Sequence, residues 1–257
     1  MAVANGAASS AFDYGASPVP VRRDVARAHE QQWERLRRPG NWWNGAERIE
    51  IGAEVRSALD CDLCRERKGA LSPFSVDGTH RSMAKTLAPP AVDAVHRIVT
   101  DATRLTGDWV RHISEEGLSD GHYVELLGIV VAVLSIDEVH RGLGIPLAPL
   151  PGPLPGEPSR IRTHGAEKRV AWIPTLSHEA ASQGPNADLY EGMPVAPNVI
   201  AAMSLVPDAV RDLKALSAAH YVPMLQVMNP RYDGRALDRR QIELVAGRVS
   251  ALNECFY

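Results

Sequence analysis

Apolar residues recur at near-helical spacing among charged ones across 21–38, at Val21, Val25, Ala28 and Trp33, before Pro39 and Gly40 close the run. A first helix is predicted there. A second is predicted from Gly45 or Glu47 to about Lys68, with Ile49, Ala53, Ser57 and Asp60 or Cys61 along one rough face. That places the Cys61-x-x-Cys64 pair late in a helix. Residues 90–116 and 119–143 predict two longer helices divided by Gly117, the second capped by Ser119 or Asp120, together forming a helical hairpin. The apolar run VELLGIVVAVLSI at 124–136 is thirteen residues long before Asp137 and Glu138, short for a bilayer and suited to a buried helix.

Between 145 and 197 the pattern changes, because ten of the nineteen prolines fall there and no amphipathic repeat persists. A structureless connector longer than about 15 residues is uncommon in a compact domain. It is therefore expected either to strap the helices, with Trp172 and Ile173 docking into them, or to cover an active site, with room for a small β element. Helical patterns return at 199–220 and from Ala236 onward, on either side of a short apolar stretch at 221–228. The predicted fold is all-α. Its parts are a flexible arm at 1–20, an N-terminal helical half at 21–144, the Pro-rich connector at 145–197 and a C-terminal helical half at 198–257.

Composition narrows the partners. At 257 residues and 45% hydrophobic the chain can bury a sizeable core, and 28 basic against 31 acidic side chains give a net charge of −3. No general nucleic-acid binding is expected from that balance, and no membrane partner. The first 22 residues lack a basic segment followed by an apolar one, so no secretory signal is predicted and the expected location is the cytoplasm. Three cysteines, Cys61, Cys64 and Cys255, are too few and too unevenly placed for a disulfide framework. No Walker loop, dinucleotide fingerprint or serine nucleophile elbow stands in a supporting context.

The two cysteine regions resemble each other. EIGAEVRSALDC at 50–61 matches ELVAGRVSALNEC at 243–255 with one residue's shift, which suggests two related halves flanking the connector. The segment RRQIELVAGRVSALNECFY at 239–257 resembles the active-site helix of the alkylhydroperoxidase-like family, which also contains carboxymuconolactone decarboxylases. That family's signature is a glutamate, a twelve-residue step to the first cysteine of a CxxC, and a histidine four residues after the second. Glu243 and Cys255 match the first two places. The resemblance is clear over the last sixty residues and extends more loosely through CDLCRERKGALSP at 61–73 and HRIVTDATRLTGDW at 96–109.

The resemblance implies thiol-dependent reduction of hydroperoxides in antioxidant defence, in an alkylhydroperoxidase-like helical fold. It implies a thiol reductant or disulfide reductase as partner, a homo-oligomer, and no cofactor or metal. In that chemistry a thiolate attacks the peroxide oxygen to give a sulfenic acid, and a second thiol condenses with it to a disulfide. A carboxylate and an imidazole beside the thiol move the protons. In the family the cysteine nearer the C-terminus usually attacks, which gives Cys255 the resolving place. The matching second cysteine and histidine would be residues 258 and 262, beyond Tyr257. Three readings follow: the natural chain continues past Tyr257; it is a homologue without peroxidase activity; or the first repeat works in modified form, using Cys61 or Cys64 with a histidine from elsewhere.

In that first repeat Glu50 lies eleven residues before Cys61, Lys68 stands where the family has histidine, and His80 is the nearest following histidine. Arg65, Arg67 and Lys68 favour a thiolate there. The same two cysteines also suit small core positions, and a metal would need more ligands than the pair with His80. A second possible site comes from His122 with Glu125 and Asp137 with His140, each three apart on one helix, together with His96. GEPSRIRTHG at 156–165 offers two arginines for an anion, or a plain surface loop. The functional alternatives are a decarboxylase-like or lactone-processing enzyme for a small organic acid, and a non-catalytic helical binding or assembly protein.

Overall fold

A computed structural model describes residues 12–169, 171–253 and 255. The fold is all-α, with ten α-helices and one two-stranded sheet among the described residues. Its centre is a helix over Asp120–Leu143, numbered α6 below. Ser119 accepts the His122 backbone N–H at its start, and Gly144 closes it in the left-handed conformation at φ 67°. The apolar run 124–136 makes it the core helix: Val124, Leu126, Ile129, Val130, Val133 and Ile136 are all buried. Each such side chain contributes about 1.5–3 kcal/mol by leaving water. Among the described residues no helix is long and apolar enough to cross a membrane.

The helices before it are α1 Arg23–Leu36, α2 Gly45–Ala58, α3 Asp62–Gly69, α4 Pro89–Asp101 and α5 Gly107–Glu115. After it come α7 His178–Ser182, α8 Asn198–Ala201, α9 Pro207–His220 and α10 Arg239–Leu252. Helices α2, α4 and α9 pack directly on α6, and α1 lies against α9. Asn44 and Glu47 form a capping box that fixes the start of α2, whose Ile51, Val55 and Ala58 are buried.

Three expected helices are interrupted. The second ends at Ala58, and Cys61 is extended at φ −84°, ψ 121° as the N-cap of a separate α3. Cys61 and Cys64 therefore open a helix rather than close one. The 90–116 segment is broken at 102–106, where Thr106 caps α5 through the Trp109 N–H. The 199–220 segment is broken before Pro207, which starts α9.

The connector is a strap. Its backbone binds the first helices directly, with Leu154 N–H donating to Arg37 O at 2.7 Å and Trp33 Nε1–H donating to Pro149 O at 2.8 Å. Ile173 is buried, while Trp172 stays half-exposed against Gly107. The small β element is an antiparallel pair, β1 Ala166–Glu167 with β2 Thr175–Leu176.

The similar segments that start at Glu50 and Glu243 begin on helices of equal length, each opened by a capping box, Asn44 with Glu47 and Asp238 with Gln241. Their surroundings differ. Ile51 is fully buried, whereas the matching Leu244 is 75% exposed along with Val245, Val249 and Leu252.

The arm expected at 1–20 is anchored where it is described. Phe12 is buried against Trp33, His29 and His140, and residues 1–11 lie outside the described residues. Tyr14 joins a buried chain of imidazoles. His140 Nδ1 faces Pro146 O at 2.6 Å, so Nδ1 carries the proton and Nε2 accepts from the Tyr14 hydroxyl at 3.2 Å. Tyr14 then accepts from His29 Nδ1–H, and His29 Nε2 accepts from His220 Nε2–H at 2.5 Å. In this arrangement His29 donates from Nδ1 and accepts at Nε2, so its ring is neutral.

Burial, with His220 and His140 beside it, pushes His29 down to about 3, and burial likewise lowers His220. Unfolded histidine binds its proton near pH 6.5. This contribution is thus fully present above that value and is lost as pH falls towards 3. The expected slope from His29 is up to about 1.4 kcal/mol per pH unit. Urea unfolding at pH 7, 5 and 4 checks this, and His29→Gln should flatten the curve relative to wild type.

Candidate thiol site

Four elements converge beside the start of α3. A stripe on α2 at i, i+4 and i+7 holds the loop at 76–88 down. Glu50 Oε2 accepts from the backbone N–H of Lys85 and Thr86 and from the Thr86 hydroxyl, at 2.9–3.1 Å. Glu54 Oε1 accepts from Met83 N–H and, at 2.6 Å, from Ala84 N–H. The Ser57 hydroxyl donates to Arg81 O at 2.8 Å. The loop so pinned carries His80 over the two cysteines. Helix α4, opened by Pro89 and Pro90, brings Asp93 and His96 on one face.

His80 Nδ1 is 3.7 Å from Cys61 Sγ and 3.6 Å from Cys64 Sγ. Its Nε2 is 2.9 Å from Asp93 Oδ1 and 3.1 Å from Arg67 Nη1. An arginine can only donate, so the carboxylate is the partner that receives the Nε2–H, leaving Nδ1 free to accept from sulfur. His96 repeats the arrangement: Nδ1 is 3.2 Å from Cys64 Sγ and Nε2 is 3.0 Å from Glu54 Oε2. Cys61, Cys64, His96 and Glu54 are buried, and the His80 side chain is only 10% exposed.

Charges around the pair are unequal. Burial alone would raise Asp93, but His80, Arg97, Trp109 and Arg67 hold its carboxyl well below the usual range. Burial would also raise Cys61, yet the Arg81 and Cys64 backbone N–H groups and His80 outweigh it and bring the thiol down to about 7. Cys64 is pushed up to about 12 by burial and by the neighbouring Cys61. Burial lowers His96 against the pull of Glu54.

The structure brings together Cys61, Cys64 and His80 of the expected residues and adds His96, Glu54 and Asp93. Glu50 anchors the loop and touches neither sulfur. Glu243 lies elsewhere, held by Tyr221 and, at 2.6 Å, by Arg239, while Cys255 is exposed beyond the end of α10. The second possible site does not assemble: Glu125 pairs with Arg48, Asp137 with Arg56, His122 with Ser119 and Arg160, and His140 with Tyr14. Only His96 of that group reaches sulfur. The i, i+3 spacing of Asp93 and His96 was the available signal for Asp93.

The ligand-type atoms of Cys61, Cys64, His80 and His96 lie within 4.8 Å of one another, the one such group among the described residues. A cavity of about 690 Å³ reaches His80 from outside, lined also by Phe74, Asp93, Arg97 and Trp109. Fold and site together define an all-α protein with a buried dithiol backed by two imidazole–carboxylate pairs. Comparisons with protein-family models, curated proteins and solved structures each found no match.

Proposed function

We propose that the protein reduces hydroperoxides at the Cys61–Cys64 dithiol, in antioxidant defence, with a thiol reductant or disulfide reductase restoring the pair. The observation that carries this reading is His80, whose free Nδ1 faces both sulfurs while Asp93 holds its Nε2. It is the third sequence reading, a modified first repeat with histidines supplied from elsewhere.

Cys61 attacks in this scheme. Its sulfur accepts the Arg81 N–H at 3.4 Å and sits at the N-terminus of α3, where backbone dipoles favour an anion. His80 takes the thiol proton and returns it to the departing alkoxide as the O–O bond breaks, leaving Cys61 sulfenic acid and an alcohol. Cys64, its proton drawn by His96 Nδ1, then displaces water from that sulfur and closes the disulfide. In sum, two thiols and one hydroperoxide give one disulfide, one alcohol and one water. Small hydroperoxides reach His80 through the 690 Å³ cavity.

The test is stoichiometric. Reduced, chelator-treated protein given one equivalent of hydroperoxide should lose two of its three thiols, and peptide mapping should find Cys61 joined to Cys64 with Cys255 free. Retention of all three thiols would sink the reading. Carbon dioxide release from a small acid that persists without the cysteines would favour the decarboxylase-like alternative. Partner association with neither activity would favour the binding protein.

A further inference from the structure

We propose that, in its reduced form, the same four side chains bind one zinc ion. Three independent features of the site point to a cation. The first is spacing: tetrahedral zinc with bonds of about 2.3 Å to sulfur and 2.0–2.1 Å to nitrogen sets sulfur and nitrogen about 3.5 Å apart. Three of the four sulfur–nitrogen separations are 3.7, 3.6 and 3.2 Å, and all four ligand atoms lie within 4.8 Å of one another.

The second feature is orientation. Both imidazoles turn Nδ1 toward the sulfurs, and each fixes its Nε2 on a carboxylate, His80 on Asp93 and His96 on Glu54. Zinc-binding histidines are held in this way, because a carboxylate on the far nitrogen sets the tautomer and raises the basicity of the near one. The third feature is charge. Glu54 is fully buried, and its partners are two backbone N–H groups and His96, none of them an arginine or lysine. Asp93, by contrast, is met by both Arg67 and Arg97. A dication beside His96 supplies Glu54 with the positive charge its own neighbours lack, while two thiolates balance the ion itself.

Four protein ligands leave no position for a reactive water, so the ion is a clamp rather than a hydrolytic centre. It would tie the start of α3, the loop at 76–88 and α4 to one point. This inference does not depend on peroxide chemistry. Where both hold, the ion and the disulfide exclude each other, since each uses both sulfurs. One zinc–dithiolate, one hydroperoxide and two protons then yield one disulfide, one alcohol, one water and a released zinc ion.

The full chain, reduced under argon and stripped with a chelator, is loaded with zinc and desalted, and its metal content measured. One zinc per chain should remain, and the two buried thiols should resist alkylation. Cobalt in its place should give the strong visible bands of a tetrahedral site with thiolate charge transfer. His96→Ala and Cys64→Ser should weaken binding at least 100-fold in competition with a chromophoric chelator, and Glu54→Gln by about 10- to 100-fold. Circular dichroism of each stripped variant shows whether it folds, and the alkylation and cobalt measurements need no variant. No retained zinc, an octahedral cobalt spectrum, or undiminished binding by folded His96→Ala would overturn the proposal. Disulfide formation by a chain that retains no zinc after loading would overturn this inference alone, and zinc binding by a chain inert to peroxide would overturn only the proposed function.

Discussion

Cys61→Ser should abolish peroxide-driven thiol loss, whereas Cys64→Ser should still react once and stop at the sulfenic acid. The two substitutions remove the same atom from neighbouring residues, so unequal outcomes report unequal roles. Cys61 has the Arg81 N–H and the N-terminus of α3 to hold a thiolate, whereas the Cys64 sulfur faces the imidazoles of His80 and His96. A dimedone adduct on Cys61 in Cys64→Ser, found by mass, is the expected result. The reverse pattern, with the adduct on Cys64, would restore the order implied by the family resemblance. His80→Gln keeps a polar side chain but loses the base, and should slow the first step by about 10²–10⁴-fold, the usual worth of a positioned proton acceptor.

What the sequence made legible was local. The central helix was announced by Ser119 and a long apolar run, and both act in the structure as the pattern predicts, while Gly144 closes it in the left-handed conformation. The break before Cys61 had no such sign: Leu59 and Asp60 are tolerated in helices, and the chain turns there where Ser57, Cys61 and Glu54 hold the loop at 76–88. Thr106 and Pro207 are start signals, for α5 and α9, that a continuous helical composition masks. At the site, His80 was a candidate by proximity along the chain. The family spacing points to Glu50 rather than Glu54, and the fold gives the two carboxylates different tasks, Glu50 holding the loop and Glu54 holding both the loop and His96. His96 and Asp93 are joined to the cysteines only by the packing of α3 on α4, a long-range contact that no spacing within one segment contains.

Arg48→Met should be among the most damaging single substitutions, costing about 3–5 kcal/mol, because it strips a buried carboxylate of its cation. Arg48 and Glu125 join α2 to α6, and both are almost wholly buried. Glu125 would keep only backbone donors, chiefly the Trp42 N–H at 2.6 Å. Burial already raises its carboxyl against the opposing pull of Arg48, so removing the arginine raises it further. A carboxyl whose folded pKa lies above its unfolded value favours folding at low pH, and that advantage disappears as pH rises through the folded pKa. The deficit of Arg48→Met should therefore be smaller at pH 5 than at pH 8, as read from urea midpoints. The double substitution Arg48→Met with Glu125→Leu removes both charges and should recover most of the loss, since apolar replacements of a buried pair are often neutral. Equal deficits at both pH values, or a double variant no better than the single one, would mean that α2 and α6 are held by packing around Ile51, Val55 and Val133 rather than by the ion pair.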